Sequence, residues 1–113
     1  GHMKTFDDLT FIPHVVNDYI DECEKVVTSA YLKFDNERAV SVSDDGFFDS
    51  YTVSFFDNCN NVGGLSIDGT DVRLDEICHP TTFEIYGHSA HRCSAEQVTL
   101  IMEAIQKLKT WKN

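Results

Sequence analysis

Apolar positions near the C-terminal end of the chain recur with a helical period. Val98, Ile101, Met102, Ile105 and Leu108 fall on one stripe, and Leu100, Ala104 and Trp111 widen it. Ser94-Ala95-Glu96-Gln97 stands before the stripe in the form of a capping box, in which the Ser94 hydroxyl and the Gln97 side chain each accept the other residue's backbone N–H. No Gly or Pro interrupts the run, and Lys107, Lys109 and Lys112 gather at its end, the negative pole of a helix. The pattern predicts an amphipathic helix over residues 94–111 that needs a surface to cover.

Upstream, the pattern predicts that surface. Phe6, Leu9, Phe11 and Ile12 form an apolar cluster, and a short strand from Thr10 to His14 is expected to be ended by Pro13, which has no ladder donor. Val15, Val16, Tyr19, Ile20, Cys23, Val26 and Val27 recur at helical spacing, with Asp18, Asp21, Glu22 and Glu24 between them, so a second helix is expected there. Ala30 to Phe34 and Ala39 to Ser43 alternate at period two around Asp35-Asn36-Glu37-Arg38, which predicts a hairpin. Tyr51 to Phe56 reads as a third strand. Val62 to Ile67 reads as a strand broken at Gly63-Gly64, with a hairpin signal at Asp68-Gly69. Val72 to Ile77 and Phe83 to Tyr86 complete the strands, and Gly87 to Cys93 leads into the helix. The expected class is α+β: a small antiparallel sheet packed against a C-terminal amphipathic helix, with a second helix near the N-terminus.

A length of 113 residues fits one domain, residues 4–113, after a Gly1-His2-Met3 stretch that reads as a cloning remnant. Net charge is −10, from 19 acids against 9 bases. Acids dominate as far as His91, and bases outnumber them from Arg92 onward. Such a balance disfavours direct contact with a nucleic-acid backbone and favours a basic protein surface. No apolar run reaches the length of a membrane span, so neither a membrane partner nor a membrane location is expected, and an intracellular setting is favoured. Cys23, Cys59, Cys78 and Cys93 form no C-x-x-C pair and read as reduced thiols.

Three groups of segments carry a resemblance. Leu9-Thr10-Phe11-Ile12-Pro13-His14 is the first; Phe34-Asp35-Asn36 followed by Val40-Ser41-Val42 is the second. The third is Ser94-x-Glu96-x-Val98 running to Ile105-Gln106-x-Leu108. Together they are similar to small open reading frames of bacteriophages and prophages. The sequence departs from that pattern over Asn17 to Ser29, and at Asn36-Glu37 where such proteins often read Asn-Gly. The resemblance implies a phage-derived protein in the host cytoplasm, and carries over no catalytic residue.

Candidate chemistry is sparse. Cys78, His79, His88, His91 and Cys93 are zinc-type ligands, but their spacing departs from structural zinc sites and adjacent residues of a strand point apart. A zinc-stabilised module on Cys78, His88, His91 and Cys93 is therefore the alternative reading, and no metal or other cofactor is expected. Cys93 beside Arg92, ahead of a helix, is a place where a thiol pKa can fall, yet no nucleophile motif surrounds it, and a packing role is expected instead. Asp44-Asp45, Asp68 with Asp71, and Asp75-Glu76 read as exposed turn residues rather than catalytic pairs, and no Walker lysine follows Gly63-Gly64. No enzymatic activity is expected.

One stretch combines aromatic and acidic residues: Phe47, Phe48, Tyr51, Phe55 and Phe56, ringed by Asp44, Asp45, Asp49 and Asp57. Phenylalanines left exposed there, inside an acidic rim, have the composition of a protein-binding patch. The expected interface comprises Asp44, Asp45, Phe47, Phe48, Asp49, Asp68, Asp71, Asp75 and Glu76. The expected partner is a host protein with a basic, nucleic-acid-binding surface, such as a CRISPR or other defence effector. The chain would be an inhibitor of the anti-CRISPR or wider anti-defence class, acting as a nucleic-acid mimic. A homodimer through a sheet edge or the Trp111 end is compatible with this reading.

Overall fold

The computed structural model describes residues 2–18, 20, 22–57, 72–78, 84–86 and 89–110. The described residues form an antiparallel sheet covered on one face by a C-terminal helix, an α+β fold. In chain order the elements are β1 (Ile12–Asp18), β2 (Cys23–Lys33), β3 (Arg38–Asp44), β4 (Tyr51–Asp57), the single turn α1 (Leu74–Ile77), β5 (Glu84–Tyr86), β6 (Ser89–Cys93) and α2 (Ala95–Gln106). The six strands lie in the order β1-β2-β3-β4-β6-β5, every pair antiparallel.

The core is the layer between sheet and helix. Val40, Val42, Val53, Phe55 and Ala90 point up from the central strands, and Val98, Ile101, Met102 and Ile105 come down from α2. All nine are fully buried. Leu100, expected to widen the buried stripe, is 56% exposed, so the working stripe is narrower than the sequence suggests. The N-terminal segment runs beside α2: Gln106 binds both backbone groups of Lys4, and the Phe6 N–H donates to Thr99 Oγ1. A 3-10 turn, Phe6–Asp8, is the helical structure nearest the N-terminus. Phe6, Phe11 and Tyr51 meet ring to ring with centroids 4.9–5.7 Å apart, the Phe6–Tyr51 pair edge-on.

The capping box at α2 forms as expected. Gln97 N–H donates to Ser94 Oγ at 3.1 Å, and Ser94 N–H to Gln97 Oε1 at 2.7 Å. The helix ends at Gln106, with Lys107 as its C-cap; Lys112 and Trp111 lie outside the described residues. Its terminal carbonyls are served from the β2–β3 turn. Buried Asn36 donates through Nδ2 to Ile105 O at 2.9 Å and Leu108 O at 3.2 Å, while buried Arg38 donates through Nε to Lys109 O. The same turn closes with Glu37 at φ 65°, the left-handed position of a bulged hairpin turn that favours glycine. Replacing Asn36 with alanine removes the donors to a buried and a partly buried carbonyl and is expected to cost about 1–3 kcal/mol, read as a lower urea midpoint.

Four expectations are corrected. The helix expected across Val15 to Val27 is instead the β1–β2 hairpin, with Val15 opposite Val26 and Val16 opposite Lys25. The valines serve both periods, and β-branching favours the extended one. Pro13 does not end the strand; it lies inside β1, where an edge position tolerates a missing donor. Val72 to Ile77, expected as a strand, holds α1 instead, which places Leu74 in the core and Ile77 against it at helical spacing. Ser89–Cys93, expected as a lead-in, is an inner strand of the sheet. The strands expected at Ala39 to Ser43, Tyr51 to Phe56 and Phe83 to Tyr86 are present with boundaries moved by one residue, whereas the one expected at Ala30 to Phe34 is the end of a longer strand, β2, that begins at Cys23. The broken strand at Val62 to Ile67 and the Asp68-Gly69 turn lie outside the described residues.

Candidate functional site

The register places several features at one end of the sheet. β3 leaves the sheet at Asp44, opposite Tyr51, where β4 enters, and Tyr51 also faces Cys93 at the end of β6. The β3–β4 loop, the end of β6 and the start of α2 therefore lie together.

The loop is held by its own acids. Asp44 Oδ1 accepts the Gly46 N–H at 2.8 Å, an Asx turn that carries Gly46 to φ 84°. Asp45 N–H donates to Ser50 O at 3.0 Å. The Asp45 carboxylate accepts from Ser50 Oγ at 2.9 Å with one oxygen and from Thr52 Oγ1 at 2.8 Å with the other. Asp49, at φ 49°, accepts the Ala95 N–H at 2.8 Å. Its carboxylate thus meets the positive pole of α2 and satisfies a donor that the capping box leaves open. Asp45 and Asp49 tie the loop to β4 and α2, and Asp44 holds the turn within it.

Phe47 and Phe48 remain outside this frame. Phe47 is 78% exposed and Phe48 is 99% exposed. They overlook an open depression of about 800 Å³, walled by Asp45 and Asp49 on one side and by His91 and Arg92 of β6 on the other. Arg92 sits at φ 57°, the extra residue of a bulge: Tyr51 faces Cys93, yet Val53 faces Ala90. The bulge turns Cys93 into the core while exposed Arg92 lines the depression. Burial, with Asp44 and Asp49 adding to it, raises the Tyr51 phenol above its usual value, so the ring under the loop stays neutral.

Of the acidic and aromatic residues expected at an interface, Asp44, Asp45, Phe47, Phe48 and Asp49 come together on this loop. Asp75 and Glu76 are exposed on α1, and Asp75 is held by Arg73 in a forked pair at 2.8 and 3.0 Å. That pair raises the Arg73 pKa. Asp68 and Asp71 lie outside the described residues. His91 and Arg92 are the wall that sequence reasoning missed, because only the β4–β6 pairing brings them beside the loop.

The metal and nucleophile readings meet different facts. Among the described residues no three His, Cys, Asp or Glu side chains are grouped to hold a metal, and His79 and His88 lie outside them. Cys93 is fully buried, and its thiol donates weakly to His91 O at 3.8 Å. Burial pushes that thiol up to about 12, with Asp45 and Cys78 adding to the shift. Burial likewise raises Cys78. Neighbouring Arg92 and the helix terminus do not activate Cys93; desolvation decides. In the folded protein, iodoacetamide at mildly alkaline pH is expected to label exposed Cys23 and spare Cys93 until denaturant is added, read by peptide mass spectrometry. The folded state keeps the Cys93 proton to higher pH than the unfolded state. Stability is therefore expected to fall as pH rises from the ordinary thiol range toward 12.

Comparison with family models, with curated proteins and with solved structures finds no match. No described helix is long and apolar enough to cross a membrane. The local chemistry therefore carries the functional reading.

Proposed function

We propose that this chain is a small acidic binding protein that occupies a basic, nucleic-acid-binding surface of a host protein. Anti-CRISPR and other anti-defence proteins of phages act in this mode as a class. The observation that carries the reading is the pair Phe47-Phe48, adjacent and almost wholly exposed on a loop fixed by hydrogen bonds.

Exposing two phenylalanine rings forgoes roughly 1.5–3 kcal/mol of burial for each. A rigid loop that presents them loses little entropy on docking, which favours their use as anchors. The carboxylates around them can still accept bonds. A carboxylate has about four lone-pair sites, and Asp44 and Asp49 each commit one bond, Asp44 to Gly46 within the loop and Asp49 to Ala95. These oxygens could receive lysine and arginine side chains that otherwise grip phosphate, and a net charge of −10 would speed the encounter.

Immobilised protein incubated with host lysate at low salt is expected to retain a protein with a basic nucleic-acid site. That protein should elute as salt rises and should be displaced by competing DNA or RNA. Retention of no such protein, or retention indifferent to both salt and nucleic acid, contradicts the reading.

A further inference from the structure

The β1–β2 hairpin leaves the sheet as an arm. β2 pairs with β3 only from Ser29 to Lys33, whereas β1 pairs with β2 from Ser29 back to Cys23. Six residues of β2 and nearly all of β1 therefore form a ribbon of two strands. Among the described residues neither edge of that ribbon has a further strand. Apolar side chains stand exposed on both of its faces: Val15 and Val26 at 65% on one, Val16 at 41% and Ile12 at 53% on the other. A free two-stranded ribbon is marginal in water, and an open uncharged edge is a template for pairing.

We infer that β1 is a self-association edge, joining antiparallel to β1 of a second copy about a two-fold axis centred on Val16. Charge selects a second copy over a basic partner. In a chain of net charge −10, residues 12–17 (Ile-Pro-His-Val-Val-Asn) carry no carboxylate. A basic surface finds no carboxylate along that stretch, the nearest acids, Asp18 and Glu24, coming at its far end in the register, so two acidic copies repel least along it. Register selects Val16. A two-fold axis normal to a sheet pairs residues of like parity, so the centre lies on a residue, and Val15 and Val16 are at or next to the middle of β1. Centring on Val15 sets Pro13, which lacks an N–H, inside the ladder opposite Asn17 of the other copy. Centring on Val16 leaves Pro13 outside the paired stretch and sets Val15 against Asn17 on both sides. The product is a four-stranded ribbon, β2-β1-β1-β2, with valines continuous across the axis and the two Phe47-Phe48 loops left free.

The test is sedimentation velocity over a concentration series into the hundreds of micromolar, with disulfide trapping beside it. The chain is expected to sediment as a monomer–dimer equilibrium. Val16→Glu, which opposes two like charges at the axis, is expected to raise the dissociation constant by at least about tenfold. Val16→Cys in a Cys23→Ser background is expected to form a 16-to-16 disulfide on mild oxidation, since directly opposed strand positions lie within bridging distance. The Phe47→Ser/Phe48→Ser variant is expected to dimerise as the parent does, which separates this edge from the proposed partner site. A parent that stays monomeric throughout the series overturns the inference. So does a dimer that survives Val16→Glu, a dimer lost in the phenylalanine variant, or failure of Val16→Cys to cross-link.

Discussion

Replacing Ile101 with alanine is expected to lower the stability of the fold by about 2–5 kcal/mol. Ile101 is fully buried at the middle of α2, where the helix meets the central strands. Truncation removes transfer free energy and leaves a cavity that a sheet on one side and a capped helix on the other cannot close. Against a total stability of roughly 5–15 kcal/mol, that is a large fraction, and the melting temperature is expected to fall by on the order of 10 °C or more. The matched control is Leu100→Ala on the same helix. Leu100 is 56% exposed, and its loss is expected to change stability by under about 1 kcal/mol. Thermal melts of the two variants side by side check both values; equal losses would mean that α2 does not cover the sheet in this orientation.

The second large effect concerns binding. Changing Phe47 and Phe48 together to serine is expected to leave the melting temperature within a few degrees of the parent, because neither ring lies in the core. Affinity for the partner is expected to fall by about a thousandfold, the scale of losing a pair of anchor residues worth about 2 kcal/mol each. Charge reversal at the flanking acids is a poorer probe than their exposure suggests. Asp45 holds Ser50 and Thr52, and Asp49 caps α2, so reversing either disturbs the loop as well as its charge. Asp44 makes a single local bond to Gly46 and is the cleaner choice. Asp44→Asn keeps an acceptor and removes the charge, and is expected to slow association with little change in dissociation.

The parts of the fold legible in the sequence are those where one period acts alone. Helix α2 announced itself through its capping box and its stripe, and the β2–β3 and β4 strands through alternation over a buried face. The Asp35 to Arg38 turn was also legible, although its role was not. Nothing in the residues showed that Asn36 and Arg38 would reach across to the end of α2. The β1–β2 arm was misread because neither of its faces is buried, so no core selects period two, and the valine positions fit a helix equally well. β6 was hidden by its bulge. Ala90 and Cys93 both point inward but stand three apart, which breaks the alternation that marks a strand. In α1, Leu74 and Ile77 have that same spacing, and there it reports one helical turn.

The candidate site was legible to the same extent. Phe47 and Phe48 amid Asp44, Asp45 and Asp49 were evident as a composition, but exposure is a tertiary property. The sequence could not show that Phe55 and Phe56 would be buried while Phe47 and Phe48 stood clear. It also could not show that the rim carboxylates anchor the loop, or that His91 and Arg92 would form the opposite wall.

The most direct measurement is capture from host lysate by the parent and by the Phe47→Ser/Phe48→Ser variant in parallel, at low and high salt, with quantitative mass spectrometry. One basic protein is expected to be retained by the parent at low salt, released at high salt, and absent from the equally folded variant. The same protein retained in equal amount by both baits would contradict the assignment of the loop as the binding site.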